Sequence, residues 1–287
     1  MRQLATVPAG YFPLFVRGTA PCPSFTVYHS SGVRMSSKPL EPWPYPSVIA
    51  HRGGGSIAPE NTLAGLRCGF DHGFLMSEFD VKLSQDNLLI ILHDDTVDRT
   101  SDGSGAAAAL TYNELAQLDM GGWHSAWYAG EPLPAFSQFA RFILENGLFC
   151  NIEIKPCPGR EVETGVAVAH AVLKYWADGG VSPLISSFSR EALAAFAEIA
   201  PAIPRAFLID RVPEDFESIL QSLGCQGINV NQKYLDEPTI DRIHAAGYRV
   251  CAYTVNDYRR ARQLLAWGCD AIFTDELVRI PADIGAY

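Results

Sequence analysis

Residues 77–95 read SEFDVKLSQDNLLIILHDD, and the fold turns on how this stretch divides. Its two apolar runs, LMSEFDVKL (75–83) and LLIILHD (88–94), are separated only by residues 84–87. A parallel pair of strands needs a crossover of about a dozen residues or more, so these two must pair as an antiparallel hairpin. Seven further strand-like runs occupy 48–53, 149–155, 184–189, 205–210, 227–231, 249–255 and 271–275. Between most of them lie amphipathic segments such as REALAAFAEIA (190–200) and YRRARQLLAWG (258–268). That alternation argues for β-α-β units and a parallel sheet. Nine candidate strands less the second hairpin arm leave eight, the number that closes a (β/α)8 TIM barrel. An open doubly wound sheet is the competing arrangement. Gly73, Gly247 and Gly268 stand where helix C-terminal caps are expected.

The 287 residues suit one such barrel, which takes about 250. Apolar residues make up 48% and charged residues 19%, ample for one large core and too apolar for general disorder. A net charge of −10 argues against a nucleic-acid partner, which wants a basic face. No apolar run reaches the ~18 residues of a membrane span. The seven scattered cysteines form no C-x-x-C pair, which disfavours zinc and fits small buried residues in a reducing, cytoplasmic setting. Self-association as a homo-oligomer is left open.

Residues 1–46 alternate proline, serine and aromatics without period, and Pro8 and Pro13 interrupt any signal-peptide core. A poorly ordered extension is expected over 1–40, with Met35 an alternative start, and the barrel over 46–287. Residues 95–135 break the β-α rhythm, are rich in Gly and Ser and carry Trp123 and Trp127. So long an excursion predicts an inserted cap subdomain on the C-terminal face of the barrel, following the second strand and its hairpin.

The chemistry concentrates at strand ends. Glu78 and Asp80 are two apart and so share one face of a strand. Glu153 repeats the pattern on a later strand, with Lys155 on its face. Carboxylates in apolar runs are costly unless compensated, here by a cation or by neighbouring Arg and Lys. Three carboxylates at one barrel end suit Mg²⁺ or Ca²⁺ better than a soft metal. A solvated strand end or an internal salt bridge would produce the same pattern. His51 and His93 each follow a strand and bracket the carboxylates, and histidine carries protons near neutral pH. Arg52 offers a planar fork for phosphate oxygens. Gly53, Gly54 and Gly55 would let the backbone approach an anion, although a P-loop is absent.

Taken together, HRGGGSIAPENT (51–62), EFDVKLSQD (78–86), ILHDD (91–95), DRTSDGSG (98–105) and EIK (153–155) resemble the glycerophosphodiester phosphodiesterase family, and most of all its cytosolic bacterial members. The resemblance runs from about Trp43 to the C-terminus and includes SSFS (186–189), YTVND (253–257) and GCDAIFTD (268–275). It implies a distorted TIM barrel with a small insert. It also implies metal-dependent hydrolysis of glycerophosphodiesters, such as glycerophosphocholine, to sn-glycerol 3-phosphate and an alcohol. By the family pattern Glu78, Asp80 and Glu153 hold one divalent cation, His51 and His93 form the acid–base pair, and Arg52 and Lys155 bind phosphate. Phe188 and Tyr253 would line the pocket, Tyr253 standing where many relatives carry Trp. In the family scheme the glycerol 2-hydroxyl attacks phosphorus, and water opens the cyclic phosphate. Two other readings compete: a phospholipase-type phosphodiesterase on the same barrel, and a non-catalytic barrel that only binds phosphodiesters. An intact-lipid enzyme would need a membrane-facing apolar or basic patch, and the acidic balance counts against it. A binding protein would have no need of both histidines and all three carboxylates.

Overall fold

The computed structural model describes residue 40 and residues 42–284, so the extension expected over 1–40 lies, apart from Leu40, outside the described residues. Nine strands form one sheet: β1 (Val48–Ala50), β2 (Met76–Leu83), β3 (Leu89–Ile91), β4 (Phe149–Ile154), β5 (Leu184–Ser187), β6 (Arg205–Ile209), β7 (Gly227–Asn231), β8 (Arg249–Tyr253) and β9 (Ala271–Thr274). The helices are α1 (Leu63–Asp71), α2 (Tyr112–Leu115), α3 (Phe136–Glu145), α4 (Glu161–Tyr175), α5 (Arg190–Ile199), α6 (Phe216–Leu223), α7 (Glu237–Ala245) and α8 (Tyr258–Ala266).

The sheet closes. β1 pairs in parallel with β9 on one side and with β2 on the other, the remaining wall strands pair in parallel in sequence order, and eight strands complete a (β/α)8 barrel. β3 stands outside this wall. It pairs antiparallel with the far half of β2, Val81 opposite Ile91 and Leu83 opposite Leu89. The short link between the two strands turns through Asn87, whose φ of +63° a crossover would not require. Closure also removes the exposed sheet edges of the open alternative.

All eight residues of β2 are buried, and they divide by parity. Phe79 and Val81 point outward into the layer between barrel and helices, where Phe79 packs against Phe136 and Phe139 of α3. Met76, Glu78, Asp80 and Lys82 alternate with them and so face the other way. Met76 joins an apolar cluster with Tyr45, Ile49, Leu184, Ala206, Cys251, Ala271 and Phe273 that fills part of the barrel interior. The charged residues are therefore those nearest the C-terminal end of the strand.

The expected C-caps hold. Gly73, Gly247 and Gly268 follow α1, α7 and α8 with φ of +85°, +85° and +89°, the left-handed geometry that glycine adopts without penalty. Between β3 and α3 the chain builds a separate small core from Leu92, Val97, Ala107, Leu115, Met120 and Leu133, sharing Ile90 with the hairpin. This insert is tied to the first turn of α1 by Glu131, which accepts from the Ala64 amide at 2.9 Å, and to the loop after β1 by contact between His124 and the Ser56 carbonyl at 3.2 Å.

Candidate active site

The C-terminal ends of the strands surround a cleft of about 290 Å³. His51, Arg52, Glu78, His93, Glu153, Lys155, Phe188 and Tyr253 all line it, so eight of the nine residues singled out from sequence share one wall. The ninth, Asp80, is buried beside them: one carboxylate oxygen from each of Glu78, Asp80 and Glu153 lies within 4.8 Å of the others. Strand register explains the convergence, because Asp80 is the direct partner of Glu153 across β2 and β4.

Three buried carboxylates in contact cannot all carry charge cheaply. Burial, and then the charge on Asp80, push Glu78 up to about 8 and Glu153 up to about 7. Burial also acts on Asp80, but Arg52 and Lys155 outweigh it and hold this carboxyl at about 2. The Lys155 ammonium lies 2.9 Å from Glu153 and 3.8 Å from Asp80. Glu78 accepts the Arg52 backbone amide at 2.9 Å through one oxygen, while its other oxygen is buried without a partner among the described residues. An unpartnered carboxyl oxygen in a cluster of three carboxylates is the donor set of a hard cation, whose charge would offset their mutual repulsion.

The two histidines are built alike. His51 presents Nδ1 to Asp275 at 2.6 Å, and His93 presents Nδ1 to Asp94 at 2.6 Å. Both carboxylates are held below their ordinary range: Asp275 because the His51 bond overcomes its burial, and Asp94 chiefly by hydrogen bonding from Arg99. An ionised carboxylate can only accept, so each Nδ1 carries the proton and each Nε2 is left for chemistry. The Nε2 of His51 lies 3.8 Å from Glu78. Burial works against a charge on His51, yet the Asp275 bond and Glu78 raise its pKa. For His93 burial prevails, helped by Arg52 and Lys155, and its pKa is lowered.

Several residues act here that the sequence reading passed over. Asn61, at φ +57°, donates to the Asp80 carboxylate at 2.8 Å and accepts from the Asp80 backbone amide at 3.1 Å, which ties the side chain and backbone of that residue to one partner. Lys82 is fully buried and donates to the carbonyls of His93 and Asp94, anchoring the loop that carries His93. Arg99 grips Asp94 and Glu60, and Glu60 in turn accepts from Arg52 at 2.8 Å. The signal for Lys82 was present, since it continues the inward parity of Glu78 and Asp80. Nothing local marks the Arg99–Glu60 link, whose partners are 39 residues apart.

Close packing demands glycine in the run after His51. A Cβ on Gly55, at φ +54°, would stand 2.3 Å from the Asp275 carbonyl, and one on Gly53 would stand 2.9 Å from the Leu66 amide. The loop is thus pressed between α1 and the end of β9, which seats His51 on Asp275. Trp123 and His124, from the insert, border an adjoining open cleft with His51, Arg52 and Asp275. Phe188 and Tyr253 meet edge-to-face at 5.8 Å, and Lys155 lies 5.4 Å from the Phe188 ring centre.

Known proteins resemble this chain in sequence and fold. The profile of the glycerophosphoryl diester phosphodiesterase family matches residues 51–279. YhdW of Bacillus subtilis, a candidate glycerophosphodiester phosphodiesterase, is 33% identical over 236 residues, which cover 79% of this chain and 93% of that protein. A glycerophosphodiester phosphodiesterase of Caldanaerobacter subterraneus is 28% identical over 80% of this chain and 93% of its own length. A phosphodiesterase of Oleispira antarctica, solved with its product sn-glycerol 3-phosphate, superposes with a TM-score of 0.77 at 36% identity, covering 84% of this chain and 96% of that one. The chain therefore belongs to the glycerophosphoryl diester phosphodiesterase family, a family of phosphoric diester hydrolases.

Proposed function

We propose that this chain hydrolyses small glycerophosphodiesters, such as glycerophosphocholine and glycerophosphoethanolamine, to sn-glycerol 3-phosphate and an alcohol. One observation carries the reading: a buried three-carboxylate cluster flanked by two imidazoles, each with Nδ1 occupied by its own carboxylate. Cleavage of a P–O ester needs one group to take a proton from the attacking hydroxyl and another to give one to the leaving oxygen. Two Nε2 atoms bordering one cleft meet that need. Arg52 and Lys155 would neutralise the phosphate oxygens, and the contacts they now make with Glu60, Asp80 and Glu153 hold them at the cleft.

Glu78, Asp80 and Glu153 would hold one divalent cation, Mg²⁺ or Ca²⁺, and the partnerless Glu78 oxygen fits that role. When bound, the cation would supply positive charge at phosphorus and orient the hydroxyl that attacks it. By the family scheme this is the substrate's own 2-hydroxyl, with water opening the resulting cyclic phosphate. His51 and His93 would then exchange roles between the two steps.

Among the described residues no helix is long and apolar enough to cross a membrane. Six described cysteines are unpaired and five of them are buried, which supports a reducing, cytoplasmic setting. The deciding assay is release of sn-glycerol 3-phosphate from glycerophosphocholine, first with a chelator and then with added Mg²⁺ or Ca²⁺. Release that stops with chelator and returns with metal is the expected result. Absence of release from folded protein with every metal and head group would overturn the reading.

A further inference from the structure

The two histidines differ in what stands behind their carboxylates. Asp275, which holds His51, is itself held by a neutral amide: Asn256 donates to its carboxylate at 2.8 Å and accepts from its backbone amide at 2.9 Å. Asp94, which holds His93, meets a guanidinium instead. Arg99 donates to both oxygens of Asp94, through Nε at 2.7 Å and Nη2 at 3.0 Å. It also donates to both oxygens of Glu60, through Nη1 at 2.8 Å and Nη2 at 2.7 Å. Paired bonds of this kind fix an angle as well as a distance.

The atoms join into one chain. Asp94 Oδ1 accepts from Nδ1 of His93 at 2.6 Å and from Nη2 of Arg99. Glu60 Oε1 accepts from the same Nη2 and, at 2.8 Å, from Nη1 of Arg52. A single planar nitrogen, with one proton for each oxygen, thus stands midway between His93 and Arg52. Both carboxylates answer to it. Burial works against a charge on Glu60, yet Arg99 and Arg52 keep its pKa lowered, and hydrogen bonding from Arg99 is the largest influence on Asp94. Arg99 is 46% exposed, and one ion pair at such a site contributes little. A network that immobilises two carboxylates together, each bonded to a group at the cleft, has more to act on. Docking the insert does not require these bonds, since Glu131 and His124 already tie it down.

We infer that Arg99 is a positioning residue, a guanidinium that fixes His93 and Arg52 relative to each other. The inference rests on the phosphodiesterase reading above. Arg99 does not line the cleft, so it acts through Asp94 on proton transfer and through Glu60 on the phosphate-binding fork. The insert is then part of the catalytic apparatus, because it carries the one side chain that joins the two. A shift of about 1 Å in a reacting group is enough to cost on the order of 10²-fold in rate.

The test measures release of sn-glycerol 3-phosphate from glycerophosphocholine, with Mg²⁺ or Ca²⁺ present, by Arg99→Lys, Asp94→Asn, Glu60→Gln and the pairs of Arg99→Lys with each. Arg99→Lys keeps the charge and loses the fork, and should lower kcat/KM roughly 10- to 100-fold. Asp94→Asn should act mainly on kcat and Glu60→Gln mainly on KM, with Arg99→Lys showing both effects. Because Arg99 works through these carboxylates, adding Arg99→Lys to Asp94→Asn should lower kcat by no more than about twofold further, and adding it to Glu60→Gln should raise KM no more than that. Native turnover by Arg99→Lys, or losses that multiply in both pairs, would overturn the inference. So would losses that follow the thermal midpoint with no split between kcat and KM, which is the mark of a structural role. Should Arg99→Lys not fold, Glu60→Gln decides: a raised KM with kcat retained supports the link, and an unchanged KM overturns it. Absence of release by native enzyme defeats the phosphodiesterase reading itself, a result distinct from native release with indifferent variants.

Discussion

The two ends of the barrel are built from the same strands to opposite rules. Along β2 the inward positions run Met76, Glu78, Asp80, Lys82, from an apolar cluster to three buried charges within one strand. At the Met76 end, Tyr45, Leu184, Ala206 and Cys251 pack into an apolar cluster that borders a separate, largely apolar cavity of about 200 Å³. At the other end Glu78 keeps an unpartnered oxygen, Arg52 and Asn61 adopt φ of +51° and +57°, and two carboxyls are forced toward neutrality. Local strain and buried charge of this kind persist only where surrounding structure over-determines them. The apolar end and the helix layer supply stability, while the polar end gives up some of it to hold a pre-formed site.

The strongest way to break that division is at Glu78. Glu78→Gln should lower kcat/KM by on the order of 10³-fold or more, because the charge that organises the cation and the phosphate is lost. Its thermal midpoint should not fall, since one of three repelling carboxylates has been removed. Turnover near the native level, or a collapse in stability, would refute the division. Its mirror is Met76→Ala, which should destabilise the protein by about 2–5 kcal/mol in urea unfolding while leaving kcat/KM within about twofold. A large catalytic loss there would show that the two ends are coupled.

A subtler effect comes from pH. Glu78 and Glu153 have folded pKa values of about 8 and about 7, raised from 4.5. Between the unfolded and folded values the native state binds more protons than the unfolded chain, so stability falls as pH rises through that window. Asp80, lowered to about 2, contributes stability that is lost only in strong acid. Chelated protein should therefore show a thermal midpoint that declines from pH 5 toward pH 8, and added Mg²⁺ or Ca²⁺ should raise the midpoint more at pH 8 than at pH 5. A metal-induced shift independent of pH would place the cation elsewhere.

Much of this was legible because it is local. The four-residue link after Leu83 forced the hairpin, the nine runs less β3 numbered the barrel, and the spacing of Glu78 and Asp80 placed both on one face. Resemblance of short motifs added Phe188 and Tyr253, which line the same cleft. The close contacts that demand glycine at Gly53 and Gly55, with Leu66 and Asp275, are made by residues distant in sequence and so are not visible in the glycine run itself.

What determines secondary structure here is period and punctuation, properties of neighbouring residues, and so the sequence by itself sufficed for the strands, the capping glycines and the parity of the carboxylates. The partners of those groups depend on closure. His51 meets Asp275 across 224 residues only because β1 pairs with β9. Lys82 secures His93 only because β3 folds back on β2, and Asn229 lines the cleft only because eight strands share one interior. Side-chain direction relative to a closed interior is a property of the whole sheet, and the tertiary structure alone decided which polar groups met and which were left for a ligand.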